Sequence, residues 1–152
     1  MARAAIGLGS NLGDPPANVR AALEALSELG TVTARSRFYR TKPWGLTDQP
    51  DFCNAAAILE TQLPPRELLE RLKALEQRLG RAPSERWGPR VIDFDILFYD
   101  GVSLDEPGLQ LPHPRLLERA FALVPLAEID ESYAAAASAL APAERASVEA
   151  NS

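Results

Sequence analysis

Apolar residues recur along this chain with two different periods. Val19, Ala22, Leu23, Leu26 and Leu29 fall three or four positions apart, as do Leu68, Leu69, Leu72, Leu75 and Leu79. That spacing lines each set along one side of a helix. The first helix has its own punctuation: Asp14 as cap, Pro15 at the first position and Gly30 beyond the end. The second is predicted over 65–79 and closed by Gly80. Strands are predicted at 4–8, 31–39, 52–61 and 91–99, where the helical period is absent; the last is filled with β-branched and aromatic residues. The order is β-α-β-β-α-β, which predicts an α+β, ferredoxin-like core: an antiparallel sheet with both helices on one face. Asp100-Gly101 predicts a hairpin turn into a further strand at 102–104, and a C-terminal helix follows over 116–127. We take 1–130 as one domain. Residues 131–152 are Ala-rich with scattered charge and no apolar stripe, and are expected to be a loosely held helix or a disordered tail.

The strand at 91–99 carries the first hint of chemistry. Side chains alternate across a strand, so Ile92, Phe94, Ile96 and Phe98 form an apolar face while Asp93 and Asp95 share the other. The two carboxylates stand roughly 6–7 Å apart. They repel each other unless a cation lies between them, and a hard divalent ion shared with phosphates, Mg²⁺, is the natural candidate. An Asp-x-Asp pair alone is more often a solvated strand face. Here Arg86 and Arg90 precede it, on a turn made by Gly88-Pro89, where a metal-bridged anion needs neutralising. The segment reads as a phosphate-and-magnesium site.

Composition narrows the alternatives. The 152 residues suit one domain with a real core. A net charge of −5 argues against a general nucleic-acid-binding surface and leaves room for a local basic pocket. Cys53 is the only cysteine and is expected to pack as a small apolar residue; His113 is the only histidine, which removes most zinc sites. No apolar run approaches the ~20 residues of a membrane span, and a cytoplasmic address is expected. Two loops, 40–51 and 81–89, are long enough to be functional. No glycine is followed by lysine, so there is no phosphate loop, and Gly7-Leu8-Gly9 fails as a dinucleotide fingerprint because position 12 is Leu. Any nucleotide must be held by metal and arginine. A ferredoxin-like regulatory module is the rival reading, but it has no use for an Asp pair facing arginines.

The motifs Gly7-Leu8-Gly9-Ser10-Asn11-Leu12-Gly13, Phe38-Tyr39-Arg40-Thr41, Gln49-Pro50-Asp51-Phe52-Cys53-Asn54 and the run from Arg86 to Asp95 occur in this order. With Pro112-His113-Pro114-Arg115 and Arg119-Ala120-Phe121, the chain resembles the 6-hydroxymethyl-7,8-dihydropterin pyrophosphokinases of folate biosynthesis, from about Ile6 to Ile129. The resemblance implies the same ferredoxin-like core and transfer of the β,γ-diphosphate of ATP to the pterin hydroxymethyl group. It implies that Asp93 and Asp95 help hold two Mg²⁺ ions and that Arg81 and Arg90 are catalytic. Glu76, Arg86, Trp87, Arg90, Ile96, His113 and Arg119 would serve ATP; Thr41, Pro43, Trp44, Phe52, Asn54 and Phe121 would serve the pterin, stacked between the two Phe rings. From charge and the absence of a long apolar run, no nucleic-acid or membrane partner is expected, and a monomer is expected. Without the resemblance, His113 reads as a turn histidine, Arg119 as a solvated helix charge and each Phe as core. Pro83 stands where many relatives carry an additional arginine, and the segment beyond Ile129 departs from the family's usual C-terminus.

Overall fold

The computed structural model describes residues 1–42, 48–80 and 91–150. Its elements are β1 (Ala2–Ser10), α1 (Pro15–Ala25), β2 (Thr31–Arg35), β3 (Tyr39–Thr41), β4 (Phe52–Thr61), α2 (Pro65–Arg78), β5 (Asp93–Tyr99), β6 (Leu104–Glu106), β7 (Leu109–Leu111), α3 (Ala120–Ile129), α4 (Ala134–Ser138), α5 (Pro142–Ala146) and β8 (Val148–Ala150), with short 3₁₀ turns after α1 and on both sides of α3. The main sheet is antiparallel in the order β5-β1-β4-β3-β8, and β2 also pairs with β4. Helix α1 begins as its sequence requires: the Asp14 side chain accepts from the Ala17 N–H at 3.2 Å, with Pro15 in the first turn.

The sheet has a core on each face. Ile6, Leu8, Leu59, Phe94 and Ile96 pack with Val19, Leu23, Leu68 and Leu72 of the first two helices and with Leu26 of the 3₁₀ turn after α1. Ala5, Ala56, Ile58, Leu97 and Phe98 pack with Leu116 and Leu126 on the opposite face. The two helices of the core motif thus share one face as expected, while α3 covers the other.

Four details differ from the pattern-based reading. The predicted strand at 31–39 is two strands, β2 and β3, because Ser36 interrupts the ladder. Its N–H donates to the Ala56 carbonyl and its hydroxyl accepts from the Ala56 N–H, both at 2.9 Å, so β4 remains satisfied across the break. Phe98 leaves the face of Phe94 and Ile96: Ala5 opposes Phe98 and Ile6 opposes Ile96, so Leu97 is an extra residue that reverses the alternation. The strand after Asp100-Gly101 does not pair back onto β5; β6 pairs with β7 in a separate two-stranded sheet. Finally, the Ala-rich tail does form short helices, α4 and α5, but it then returns to the sheet as β8. Tyr133 stacks on Phe98 with ring centroids 5.8 Å apart, and Arg3 reaches Asp130 at 3.1 Å, so the start of the tail is docked as well.

Candidate active site

Register assembles the site. Gly9 of β1 lies between Asp93 on β5 and Asn54 on β4, and Gly7 lies between Asp95 and Ala56. Directly opposed residues share a face, so both aspartates, both glycines and Asn54 belong to the α3 side of the sheet, at its open end. Asp93 and Asp95 are half-buried. Glycine here is a matter of space rather than backbone angle, since neither residue has positive φ. A Cβ on Gly9 would overlap Asn54 Oδ1, and one on Gly7 would stand 3.3 Å from the Leu97 side chain. The pair therefore forms a floor of bare backbone between the carboxylates and the amide. Isolated strand glycines signal such close approach, and this was the available clue to a role for Gly7 and Gly9 beyond the turn.

Beyond Gly9 the row continues to β3. Thr41 pairs with Phe52, and Asn54 Nδ2 donates to Thr41 Oγ1 at 2.5 Å; both polar residues are buried. The amide is thereby held in one orientation. Phe52 and Phe121 are each half-buried, so neither ring is consumed by the core.

A cavity of ≈ 440 Å³ opens along the outer edge of β5, lined by Asp95, Ile96, His113, Arg115 and Arg119 among others. His113 closes it from a turn that begins with a cis Leu111–Pro112 bond. The His113 N–H donates to the Leu97 carbonyl at 2.9 Å, and Nδ1 accepts from the Arg115 N–H at 3.2 Å. In the neutral ring that leaves the proton on Nε2. Burial, then the nearby charges of Arg119 and Arg115, push the imidazole below its ordinary pKa, so it is a neutral donor at pH 7. Arg119 is buried, with its guanidinium 5.6 Å from the Phe121 ring centroid. It is thus no solvated helix charge; it lines the cavity and lies beside the Phe121 ring. Arg115, given no role from the sequence, also belongs to the cavity.

Glu76 stands behind this surface. It is buried on α2 and its carboxylate accepts the Phe94 N–H at 2.8 Å, fixing β5 from below. Cys53 packs in the first core, and burial pushes its thiol up to about 11, which makes it inert. The remaining expected site residues, Pro43, Trp44, Arg81, Arg86, Trp87 and Arg90, lie outside the described residues, as does Pro83.

The donor set suits magnesium bound in company. Among the described residues no cluster of three or more His, Cys, Asp or Glu side chains could hold a metal alone. Two adjacent carboxylates beside an open cavity match an ion that takes its other ligands from phosphates and water.

Residues 5–131 match the family model for 7,8-dihydro-6-hydroxymethylpterin-pyrophosphokinase. Among curated proteins, the 2-amino-4-hydroxy-6-hydroxymethyldihydropteridine pyrophosphokinase of Methylorubrum extorquens is 52% identical over 131 residues, covering 85% of this chain and 83% of the relative. Its counterparts in Haemophilus influenzae and Bacillus subtilis are 44% and 45% identical, covering 85% and 82% of this chain and 82% and 75% of the relatives. Among solved structures, an HPPK-DHPS in complex with substrates superposes with a TM-score of 0.71 at 14% identity, over 91% of this chain and 45% of that one. The Plasmodium falciparum HPPK-DHPS with pteroate gives 0.65 at 15% identity, over 83% and 38%. This chain thus spans under half the length of those structures, and at such identity they speak for the fold alone.

Proposed function

The chain belongs to the 7,8-dihydro-6-hydroxymethylpterin-pyrophosphokinase family, and we propose that the open end of its sheet, from His113 across Asp95 and Gly9 to Asn54, is where it works. It transfers diphosphate from ATP to the hydroxymethyl group of 6-hydroxymethyl-7,8-dihydropterin, giving AMP and the pterin diphosphate, in folate biosynthesis. The carrying observation is that register alone brings Asp93, Asp95 and Asn54 onto one face of the sheet, separated only by glycine backbone.

In this reading ATP occupies the cavity beside β5, with Ile96 on its apolar side and His113 Nε2–H and Arg119 donating to phosphate oxygens. Asp93 and Asp95 would hold two Mg²⁺ ions, which supply charge neutralisation along the triphosphate. Phe52 and Phe121 sandwich the pterin, Asn54 reads its polar edge, and Thr41 keeps that amide turned. Pro43 and Trp44 would serve the pterin as well, and Arg86 and Trp87 the nucleotide. The hydroxymethyl oxygen attacks the β-phosphorus and gives up its proton to water; a new O–P bond forms as the bond to the α-phosphate oxygen breaks, and AMP departs with the electron pair. Arg81 and Arg90 stabilise the charge that builds on the transferred group. Catalysis of this type is chiefly positioning and charge compensation. Glu76 contributes by holding β5, and through it both aspartates, in register.

The pyrophosphokinase domain of residues 1–130, with the C-terminal segment docked on its sheet through β8, acts as a monomer in the cytoplasm with no nucleic-acid or membrane partner. No helix among the described residues is long and apolar enough to cross a membrane. AMP release from ATP and Mg²⁺, with and without the reduced hydroxymethylpterin, tests the site through Asp95→Ala. The variant should lose pterin-dependent AMP while keeping its fold. Retained turnover would move the metal site elsewhere.

A further inference from the structure

The C-terminal segment lies beyond the residues matched by the family model, which end at 131. It nevertheless grips both walls of the proposed pterin pocket. On one side, β8 adds to β3 with Val148 opposite Thr41 and Glu149 opposite Arg40, and the Lys42 N–H donates to the Ser147 carbonyl at 3.1 Å. On the other, Glu144 Oε1 accepts the Ala120 N–H at 3.0 Å. Ala120 opens α3 and sits between Arg119 and Phe121. Helix starts leave N–H groups without partners inside the helix, and Arg119, at the cap position of α3, makes no side-chain cap. The carboxylate from the tail fills that role from 24 residues away. It also brings negative charge to the positive end of the helix.

The consequence is mechanical. Thr41 orients Asn54 on β4, and Phe121 stands half-buried in the first turn of α3, where the pocket assignment puts the second wall. These two walls come from separate elements, and the tail bridges them within a few residues: Glu144 holds α3, Ser147 and Val148 hold β3. The exposed Arg40–Glu149 pair, at 2.5 Å, adds register more than energy. Glu144 is the buttress that matters, because its acceptor sets where α3 starts and so where the Arg119 and Phe121 side chains point.

We propose that residues 141–150 form a clamp that fixes the spacing of the pterin pocket, with Glu144 as a positioning residue for Arg119 and Phe121; this rests on the pocket assignment above. Glu144 touches no substrate in this scheme. Removing its acceptor loosens the aromatic wall and weakens ground-state binding, whereas a purely stabilising tail would lower the melting temperature and leave affinity alone.

The test uses the full chain with Glu144→Ala and Glu144→Gln. Glutamine retains an acceptor oxygen at the same reach, so it should rescue. Pterin binding measured by calorimetry in the presence of a non-hydrolysable ATP analogue and Mg²⁺ should weaken by roughly 3- to 30-fold in Glu144→Ala, the range for a lost helix cap. Glu144→Gln should stay close to the parent, and kcat at saturating pterin should change far less than KM. Amide exchange at Ala120 without any ligand should accelerate in Glu144→Ala only. Parent-like pterin affinity in Glu144→Ala, or equal weakening in both variants, overturns the clamp. If the parent protein binds no pterin, the pocket assignment fails instead. Exchange at Ala120 then decides whether the tail holds α3 at all: unchanged exchange removes the proposal, and faster exchange sustains the buttress.

Discussion

Gly9→Ala is the sharpest probe of the site, because it adds a single methyl group and asks nothing unusual of the backbone. Gly9 has no positive φ, so alanine is conformationally acceptable there and even gains about 0.5–1 kcal/mol from the more restricted unfolded chain. Space is the obstacle. The new Cβ would overlap Asn54 Oδ1 and lie 3.7 Å from Phe52 Cδ2. Asn54 must turn away, which breaks its hydrogen bond to Thr41 and costs about 0.5–1.5 kcal/mol net. Overpacking adds about 1–3 kcal/mol. After subtracting the backbone gain, a net loss of roughly 1–3 kcal/mol remains, or roughly 3–10 °C in melting temperature for a chain of this size. Pterin affinity should fall by roughly 1–3 kcal/mol as well, since the amide no longer presents its polar atoms correctly. The decisive assay is a double-mutant cycle with Asn54→Ala, read by urea denaturation and by pterin calorimetry. Without the amide there is nothing to overlap, so Gly9→Ala should be neutral or slightly stabilising in that background. The coupling should be about 1–3 kcal/mol. Additive effects would refute the picture of a glycine kept bare for the amide beside it.

His113 should give stability a pH dependence of defined sign. Its folded pKa is below the ordinary 6.5 because of burial and the Arg119 and Arg115 charges, so the unfolded chain binds the extra proton first. The contribution is fully present above pH 6.5 and is lost as pH falls from there through the folded value; urea midpoints of His113→Asn should lack that slope, and an unchanged slope would assign it to other groups. Behind the pocket, Glu128 on α3 takes the Tyr39 hydroxyl at 2.5 Å and the Arg37 N–H at 2.9 Å. Burial raises its carboxyl, but these bonds outweigh that and hold it below its usual value. Glu128→Ala should therefore cost about 1–3 kcal/mol by leaving the Tyr39 hydroxyl without an acceptor for its proton, with only the longer bond from Arg37 at 3.3 Å remaining, clearly more than Tyr39→Phe. Equal losses in chemical denaturation would show that ring packing, not the hydroxyl, ties β3 to α3.

The local signals that were legible in the sequence share a short physical range. Asp14 and Pro15 start α1 by bonds within one turn, and the leucine spacing of α2 shows its buried side without reference to anything else. The two aspartates announce themselves because alternation on a strand is a property of neighbours. What escaped depends on partners distant in the chain. Ser36 looks like any strand serine until the Ala56 N–H needs an acceptor. Leu97 is unremarkable as a residue, and its reversal of the alternation appears only in pairing with Ala5 and Ile6. The tail has no apolar stripe because β8 docks through backbone on a strand edge, a mode of attachment that leaves almost no trace in hydrophobicity. In the same way, roles for Arg119 and Phe121 are suggested only by resemblance, since burial of a guanidinium against a ring depends on how α3 lands on the sheet.

The extra residue at Leu97 gives β5 a fixed reading frame. Ahead of it, odd-numbered positions face α3 and carry the acids; after it, Phe98 faces α3 and Tyr99 joins the opposite core. A single-residue deletion anywhere from Phe94 to Leu97 would let the strand pair without interruption, yet no deletion is neutral. Losing Leu97 itself keeps Ile96 opposite Ile6 and Phe98 opposite Ala5, so the aspartates and Tyr99 hold their faces and the loss is the packing of Leu97 over Gly7; losing Phe94, Asp95 or Ile96 instead moves a residue of the first core or an acid to the wrong face. Length changes ahead of Leu97 should therefore be far less tolerated in this strand than substitutions, because they alone move the acids relative to the core.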